Sequence, residues 1–166
     1  MKKFNDILKG IKPIKTIGNT DVSIKYIHFD SRKVGLDDVF VATKGTLSDG
    51  HDFIKGAVDK GAIAVVCEEI PEQLVNGITY VQVSDSQQAL AIMAANYYDN
   101  PSENIKLVGI TGTNGKTTIA TLLFNLFKAA GYEVGLLSTV KIMVGNKQHS
   151  ATHTTPDSLT INRYRS

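Results

Sequence analysis

The stretch Leu107–Thr118 reads LVGITGTNGKTT and carries the most specific pattern in the chain. Its first four residues form an apolar run typical of a buried strand, and residues 119–130 place apolar side chains at helical spacing. A strand, a glycine-rich turn and a helix in this order are the setting of a phosphate-binding loop. Glycines let backbone N–H groups approach phosphate oxygens, and the N-terminus of the helix adds the positive end of its dipole.

The side chains of this turn match the chemistry of nucleotide binding. Lys116 would contact the β- and γ-phosphates, which makes it the candidate catalytic residue, and the Thr117 hydroxyl would be a ligand of Mg²⁺. The turn departs from the common pattern at Ile110, because a glycine usually stands five positions before Gly115. The predicted phosphate-binding residues are Gly112, Thr113, Asn114, Gly115, Lys116, Thr117 and Thr118.

The composition is that of a soluble globular protein. The chain has 166 residues, of which 42% are hydrophobic and 20% charged, and its net charge is +2. The basic residues are scattered, so we expect no nucleic-acid partner, and no stretch approaches the ~20 apolar residues that a membrane span needs. Cys67 is the single cysteine, which excludes an internal disulfide and favours a reducing compartment. The N-terminus lacks the apolar core of a signal peptide, so we expect a cytoplasmic protein.

The residues before the loop predict a complete α/β unit. Apolar runs predict strands over residues 22–29, 39–42, 62–67 and 78–83. Helical periodicity predicts helices over residues 4–8, 52–60 and 84–97, the last with capping-box spacing between Ser84 and Gln87. Residues 99–102 read DNPS, which ends the last helix and indicates a domain boundary.

We therefore expect the α/β fold class, with a small α/β domain over residues 1–100 followed by the start of a parallel-sheet P-loop ATPase domain over residues 101–166. The second domain would run strand, phosphate loop, helix, strand. Its last strand, over residues 134–139, would pair in parallel with residues 107–110, because a crossover of this length joins parallel strands. Nucleotide-binding sheets usually have about five or six strands, so only the first part of that domain is expected here.

Three further segments point to one family. Residues 30–32 read DSR, residues 38–42 read DVFVA and residues 48–54 read SDGHDFI. Together with the loop, and in the same order, they resemble the Mur ligase family over essentially the whole chain. The resemblance implies a UDP-sugar-binding domain followed by part of the central ATP-binding domain. It also implies an ATP-dependent amide-bond ligase of peptidoglycan precursor synthesis, which uses ATP and Mg²⁺ and is a monomer at full length.

The resemblance also implies a set of substrate contacts. The matching serine of the family lies in the uridine pocket, which implies that role for Ser31. Arg32 becomes a diphosphate candidate, although a surface ion pair with Asp30 suits it equally well. Residues 46–48 match the segment that closes over UDP, where the family often has His-Gln instead of Thr-Leu, and Asn114 either faces substrate or supports its own loop. The implied substrate residues are Ser31, Arg32, Thr46, Ser48, Asn114, Thr154 and Thr155.

The residues THTTPD at 152–157 indicate a branch of the family. Thr154 and Thr155 resemble the pair that holds the muramyl-peptide end of the substrate near the γ-phosphate, and they favour the MurE branch. That branch adds a diamino acid, diaminopimelate or lysine, to UDP-MurNAc-L-Ala-D-Glu through an acyl phosphate. A plain Thr-Pro turn that caps a helix is the other interpretation of these threonines. Other metal and adenine contacts of the family lie further along than Ser166, so we expect this chain alone to be inactive.

Three other functions stay open at this point. The chain could belong to a MurF-type or another Mur ligase, against which residues 154–156 argue. It could instead be a non-catalytic UDP-sugar-binding module with a vestigial phosphate loop. A generic P-loop NTPase switch is the weakest alternative, because no Asp-x-x-Gly motif follows the loop.

Overall fold

A computed structural model describes residues 1–45, 48–145, 147–150 and 156–165 of the chain. The chain separates into two units, Met1–Asp99 and Asn100–Ser166, and each has its own sheet. None of the helices in the described ranges is long and apolar enough to cross a bilayer.

Five strands of the first unit form one mixed sheet. They are β2 (Lys15–Ile17), β4 (Ile27–His28), β5 (Asp38–Val41), β6 (Ala62–Cys67) and β7 (Thr79–Gln82), in the spatial order β2-β7-β6-β5-β4. The pairs β4–β5, β5–β6 and β6–β7 are parallel, and β2 joins β7 antiparallel at one edge. The predicted α/β class is confirmed, with a mixed sheet in this unit.

Helices cover both faces of the central strand β6. The helices of this unit are α1 (Phe4–Ile7), α2 (Ile54–Asp59) and α3 (Ser86–Tyr97). Val65 and Cys67 share a buried cluster with Ile54 of α2, while the alternating residues Ala64 and Val66 are fully buried on the other face. Both α2 and α3 contact β6. The strand therefore reads as a continuous apolar run, as is typical of a strand buried on both faces.

The strand predicted over residues 22–29 is two strands that have different partners. β3 (Ser23–Ile24) pairs with β1 (Lys2–Lys3) in a separate two-stranded ribbon, whereas β4 pairs with β5. Between them, the backbone N–H of Tyr26 donates to Asp38 Oδ1 at 3.1 Å. The Asp38 carboxylate therefore holds the chain where it passes from one sheet to the other. The alternation of apolar and polar residues over 22–29 continues through this point, so it does not reveal the change of sheet.

The N-terminus of α3 lies one residue later than the capping-box spacing predicted. Asp85 is the N-cap, and its Oδ1 accepts from Gln88 N at 2.8 Å. The next residue, Ser86, donates from its N–H and its hydroxyl to Glu68 Oε1, at 3.0 and 2.8 Å. The helix start is therefore fixed by a carboxylate that follows β6, which the local sequence of α3 does not contain.

The second unit contains a helix after the glycine-rich turn and an antiparallel sheet. The helix is α4 (Lys116–Ala129), as predicted, and α5 (Ser158–Arg165) is the other helix described in this unit. The strands are β8 (Gly135–Leu137), β9 (Lys141–Val144) and β10 (Lys147–Ser150), in the order β10-β9-β8. A short 3₁₀ helix over Pro101–Asn104 contacts α5.

The parallel strand pair predicted around the loop is wrong for the described residues. Residues 107–110 form no strand, and β8 pairs antiparallel with β9, which follows it after a three-residue connection. Leu107 and Val108 are 67% and 63% exposed, so no burial rewards an extended conformation there. A neighbouring strand joined by a short turn costs less loop-closure entropy than a partner beyond a helical crossover.

Two glycines, one inside α2 and one just after it, test this packing. At Gly61, φ is +108° and a Cβ would lie 2.9 Å from Leu36 Cα, so Gly61→Ala should destabilise the chain by about 1–3 kcal/mol. At Gly56, inside α2, nothing lies within 4 Å of the position that an added Cβ would take, so Gly56→Ala should stabilise by about 0.5–1 kcal/mol. Urea unfolding followed by circular dichroism measures both changes. Equal effects of the two substitutions would contradict this account of Gly61.

Candidate functional site

The glycine-rich turn ends at the N-terminus of α4 and leaves that terminus uncapped. Gly115 is the N-cap residue with φ +78°, Gly112 has φ +150°, and no side chain caps the helix. The first intrahelical bond is from Ile119 N to Gly115 O at 2.9 Å. The N–H groups of the first turn therefore point out of the helix end, where they are suited to an anionic ligand.

Lys116 lies on the same turn with its ammonium folded back onto it. Its Nζ donates to the carbonyl oxygen of Gly112 and, at 3.1 Å, to that of Thr113. The side chains of Asn114 and Thr118 are exposed, and Thr117 is half-buried. The structure thus brings the predicted phosphate-binding residues together in one exposed turn. A cation beside outward N–H groups fits the triphosphate of a nucleotide, and the Thr117 hydroxyl is a suitable oxygen ligand for Mg²⁺.

A second group of predicted residues follows the parallel strands of the first unit. Ser31 and Arg32 come after β4, and residues 44–49 come after β5. The carboxyl ends of parallel strands meet at one edge of a sheet, which is where ligands bind in open α/β sheets. Ser48 O accepts from Gly45 N at 3.0 Å, and Lys44 bridges to Asp49, so the two ends of this segment lie beside each other. Thr46, Thr154 and Thr155 lie outside the described residues.

Arg32 is paired with Asp30. Its Nε donates to Oδ1 at 2.8 Å and its Nη2 to Oδ2 at 3.0 Å, which is the two-bond arrangement of a guanidinium on a carboxylate. The hydrogen bond from Arg32 holds the pKa of Asp30 at about 2. Beside this pair, Lys60 Nζ donates to Ser31 O at 2.9 Å. Both interpretations of Arg32 survive, because an arginine on the surface with one carboxylate partner can still approach a diphosphate.

His51, to which the sequence pattern assigned no role, connects two segments at this edge of the sheet. The ring of His51 accepts at Nε2 from the backbone N–H of Glu68 at 2.9 Å and of Glu69 at 3.2 Å. Its Nδ1 lies 2.5 Å from Asp49 Oδ1, and Asp49 also accepts from His51 N at 2.9 Å. These contacts, the backbone bond first, hold the pKa of Asp49 below its usual range. The spacing Asp-x-His was the available signal, but the partners after β6 could not be read from it.

The fold and the turn define an α/β protein with an anion-suited glycine-rich loop at a helix N-terminus. Comparison with known proteins gives the family. The Mur ligase family catalytic domain matches residues 23–98, and the Mur ligase middle domain matches residues 110–165. The chain belongs to the Mur ligase family.

Several relatives carry one activity in their names. The chain is 50% identical over 161 residues to the UDP-N-acetylmuramoyl-L-alanyl-D-glutamate--2,6-diaminopimelate ligase of Bacteroides fragilis, covering 97% of this chain and 33% of the relative. It is 43% identical over 161 residues to ligase 1 of the same name from Clostridium acetobutylicum, again covering 97% and 33%. The chain thus spans about a third of the length of these curated relatives.

Solved structures share the fold. A UDP-N-acetylmuramoyl-L-alanyl-D-glutamate--2,6-diaminopimelate ligase superposes with a TM-score of 0.71 at 23% identity, over 99% of this chain and 32% of that one. MurF from Acinetobacter baumannii superposes with a TM-score of 0.63 at 20% identity, over 98% and 32%. At these identities the structures establish the likeness of fold alone.

The Asp30–Arg32 pair gives a pH prediction. Because the folded pKa of Asp30 is about 2, below the unfolded value of about 3.9, the pair contributes stability that is present above pH 3.9 and is lost as the pH falls through 2. An NMR titration of the Asp30 carboxyl carbon should give a midpoint near 2, rising toward the unfolded value in Arg32→Gln. Lys33→Gln, which removes a neighbouring and weaker positive charge, should move the midpoint little. An unchanged midpoint in Arg32→Gln would contradict the assignment.

Proposed function

We propose that this chain is the nucleotide-sugar-binding part and the phosphate loop of a MurE-type ligase. The ligase joins a diamino acid to UDP-MurNAc-L-Ala-D-Glu, and the names of the relatives favour diaminopimelate over lysine. The observation that carries the proposal is the turn at the N-terminus of α4, where Lys116 and outward N–H groups lie together. An alignment that covers 97% of the chain, and therefore both units, supports the same conclusion.

The reaction needs a phosphoryl donor, which is ATP, and a phosphoryl acceptor, which is the carboxylate of the nucleotide-sugar dipeptide. The free carboxylate of the nucleotide-sugar dipeptide attacks the γ-phosphorus of ATP, so that the bond to the β–γ bridging oxygen breaks and ADP leaves. The amine of the diamino acid then displaces phosphate from the acyl phosphate, and the amide bond forms with loss of a proton. Lys116 would neutralise charge on the transferring phosphoryl group. Mg²⁺, when bound, supplies further positive charge there, and Thr117 would hold it.

The first unit would bind the nucleotide sugar at the carboxyl edge of its sheet. In this proposal Ser31 bonds the uridine, Arg32 approaches the diphosphate, and residues 46–48 close over it. Asn114, Thr154 and Thr155 would direct the muramyl-peptide end toward the γ-phosphate. Residues 1–100 then form the UDP-sugar-binding domain, and residues 101–166 form the first part of the central ATP-binding domain of a cytoplasmic ligase that is monomeric at full length.

One observation favours a second candidate function. The ammonium of Lys116 is engaged with two carbonyl groups of its own turn, and no parallel sheet lies behind that turn in the described residues. A non-catalytic UDP-sugar-binding module with a vestigial loop would have these properties. It would bind the nucleotide sugar, and Lys116 would be dispensable for every measurable property. A MurF-type ligase differs from both in its substrate, which is a tripeptide nucleotide sugar.

Thermal-shift titration with UDP-MurNAc-L-Ala-D-Glu tests the substrate. Binding at a hundredfold excess over Kd should stabilise the chain by about 2.7 kcal/mol, which raises its unfolding temperature. Ser31→Ala should weaken binding by about 1 kcal/mol, through the loss of one hydrogen bond. Ser23→Ala, at an exposed serine on β3, is the matched control. Stronger stabilisation by the tripeptide nucleotide sugar would favour the MurF branch.

Measurement of phosphate release tests whether the chain alone catalyses the reaction. We expect the chain, given Mg-ATP, the nucleotide sugar and diaminopimelate, to release no more phosphate than Lys116→Ala does, because it spans about a third of the length of its ligase relatives. Lys106→Ala, at an exposed lysine outside the loop, controls for a change in surface charge. Substrate-dependent release above the Lys116→Ala level would show that this chain alone is an active ligase.

A further inference from the structure

The ring of His51 is held by donors that determine its protonation state. A backbone N–H can only donate, so the Nε2 atom that receives the N–H groups of Glu68 and Glu69 must carry a lone pair. The other ring nitrogen, Nδ1, lies 2.5 Å from a carboxylate oxygen of Asp49, which can only accept when ionised. The imidazole is therefore neutral, with its proton on Nδ1.

This ring joins two loops at the carboxyl edge of the sheet. Asp49 ends the loop that follows β5 and is the N-cap of the 3₁₀ helix Gly50–Phe53, which contains His51, whereas Glu68 and Glu69 follow β6. The His51 side chain is 13% exposed, so water has little access to compete for these bonds. The histidine thus connects the segments that follow two neighbouring strands, through a contact between His51 and Glu68 that are 17 residues apart in sequence.

Further contacts of Lys44 hold the described ends of the same loop. Lys44 Nζ lies 2.7 Å from Glu69 Oε1 and 3.6 Å from Glu68 Oε2. Gln87 Nε2, at the start of α3, donates to Lys44 O at 3.0 Å. Lys44 is in turn bridged to Asp49. The charged groups around the ring are therefore Asp49, Glu68, Glu69 and Lys44, and they tie the stem of the loop to β6 and α3.

We propose that His51 is a positioning residue for the nucleotide sugar: its neutral Nδ1–H form ties Asp49 and the residues beside it to the residues after β6, and so holds this edge of the sheet in the geometry that binds the ligand. The other tautomer, with its proton on Nε2, would point a donor at two backbone donors, so only the Nδ1–H form makes both bonds to the residues after β6. The identity of the ligand rests on the proposed function. The state of the ring does not.

Two substitutions separate the two halves of the ring. Glutamine places its amide oxygen near the position of Nε2, so His51→Gln can still accept from the N–H groups of Glu68 and Glu69. Asparagine reaches only the position of Nδ1, so His51→Asn can donate to Asp49 but leaves the two N–H groups without their acceptor. Glutamine and asparagine have similar polarity, and they differ in which hydrogen bond of His51 they preserve.

Calorimetric titration of the chain with UDP-MurNAc-L-Ala-D-Glu tests the positioning role. At neutral pH, His51→Gln should bind within about threefold of the unchanged chain, and His51→Asn should bind at least tenfold more weakly. Equal affinities of the unchanged chain and a folded His51→Asn, or equal losses of affinity in His51→Gln and His51→Asn, would overturn the proposal.

A long-range ¹H–¹⁵N NMR spectrum of the unchanged chain tests the ring without any ligand or folded variant. At neutral pH we expect one histidine with a protonated Nδ1 and an unprotonated Nε2, which is the minor tautomer of imidazole in water. Its signals should be absent in His51→Gln. A ring protonated at Nε2 overturns the inference, whereas failure of the unchanged chain to bind the nucleotide sugar overturns the proposed function and the ligand part of the inference with it.

Discussion

Burial of β6 on both faces is the constraint on which the first unit depends. A strand that is covered by helices on both sides needs parallel neighbours, because crossover helices are what cover the faces. Fully buried Val65 and Val66 therefore require α2 and α3 on opposite faces. Parallel neighbours also place the ends of β4, β5 and β6 at one edge. The location of the candidate nucleotide-sugar site is a consequence of how this apolar strand is buried.

Polar groups of the described residues at that edge are paired with one another, which fixes the ends of the loops there before any ligand binds. The Glu68 carboxylate accepts a hydrogen bond from the backbone N–H of Ser86 and so fixes the start of α3, while the backbone N–H of Glu68 donates to His51. A buried or half-buried N–H without an acceptor is costly, so each of these bonds constrains the next. A loop held in this way loses less entropy when a ligand arrives than a loop that must first become ordered.

The second unit is organised by a helix more than by a sheet. α4 forms because its own residues favour a helix, and its glycine N-cap leaves N–H groups outward. Ile119, Leu122 and Leu126 lie three and four residues apart along this helix and are 48%, 62% and 63% exposed, so the described part of the unit does not cover that apolar stripe. The anion-suited turn therefore exists on local structure alone, without the parallel strand that would support it from behind.

Local features of the chain could be predicted from its sequence, whereas partners distant in sequence were decided by the tertiary structure. The apolar run of β6, the helix after the glycine-rich turn and the grouping of residues 112–117 depend on neighbours in sequence, so periodicity and turn residues contain them. The phosphate and substrate roles of these residues stay predictions. By contrast, β8 pairs with β9 and not with residues 107–110, and His51 bonds to N–H groups 17 and 18 residues away. Hydrophobic periodicity states which side of a strand or helix is buried, but not which strand or carboxylate will lie beside it. That choice depends on loop closure and on satisfying every buried polar group at once, and both are properties of the folded chain.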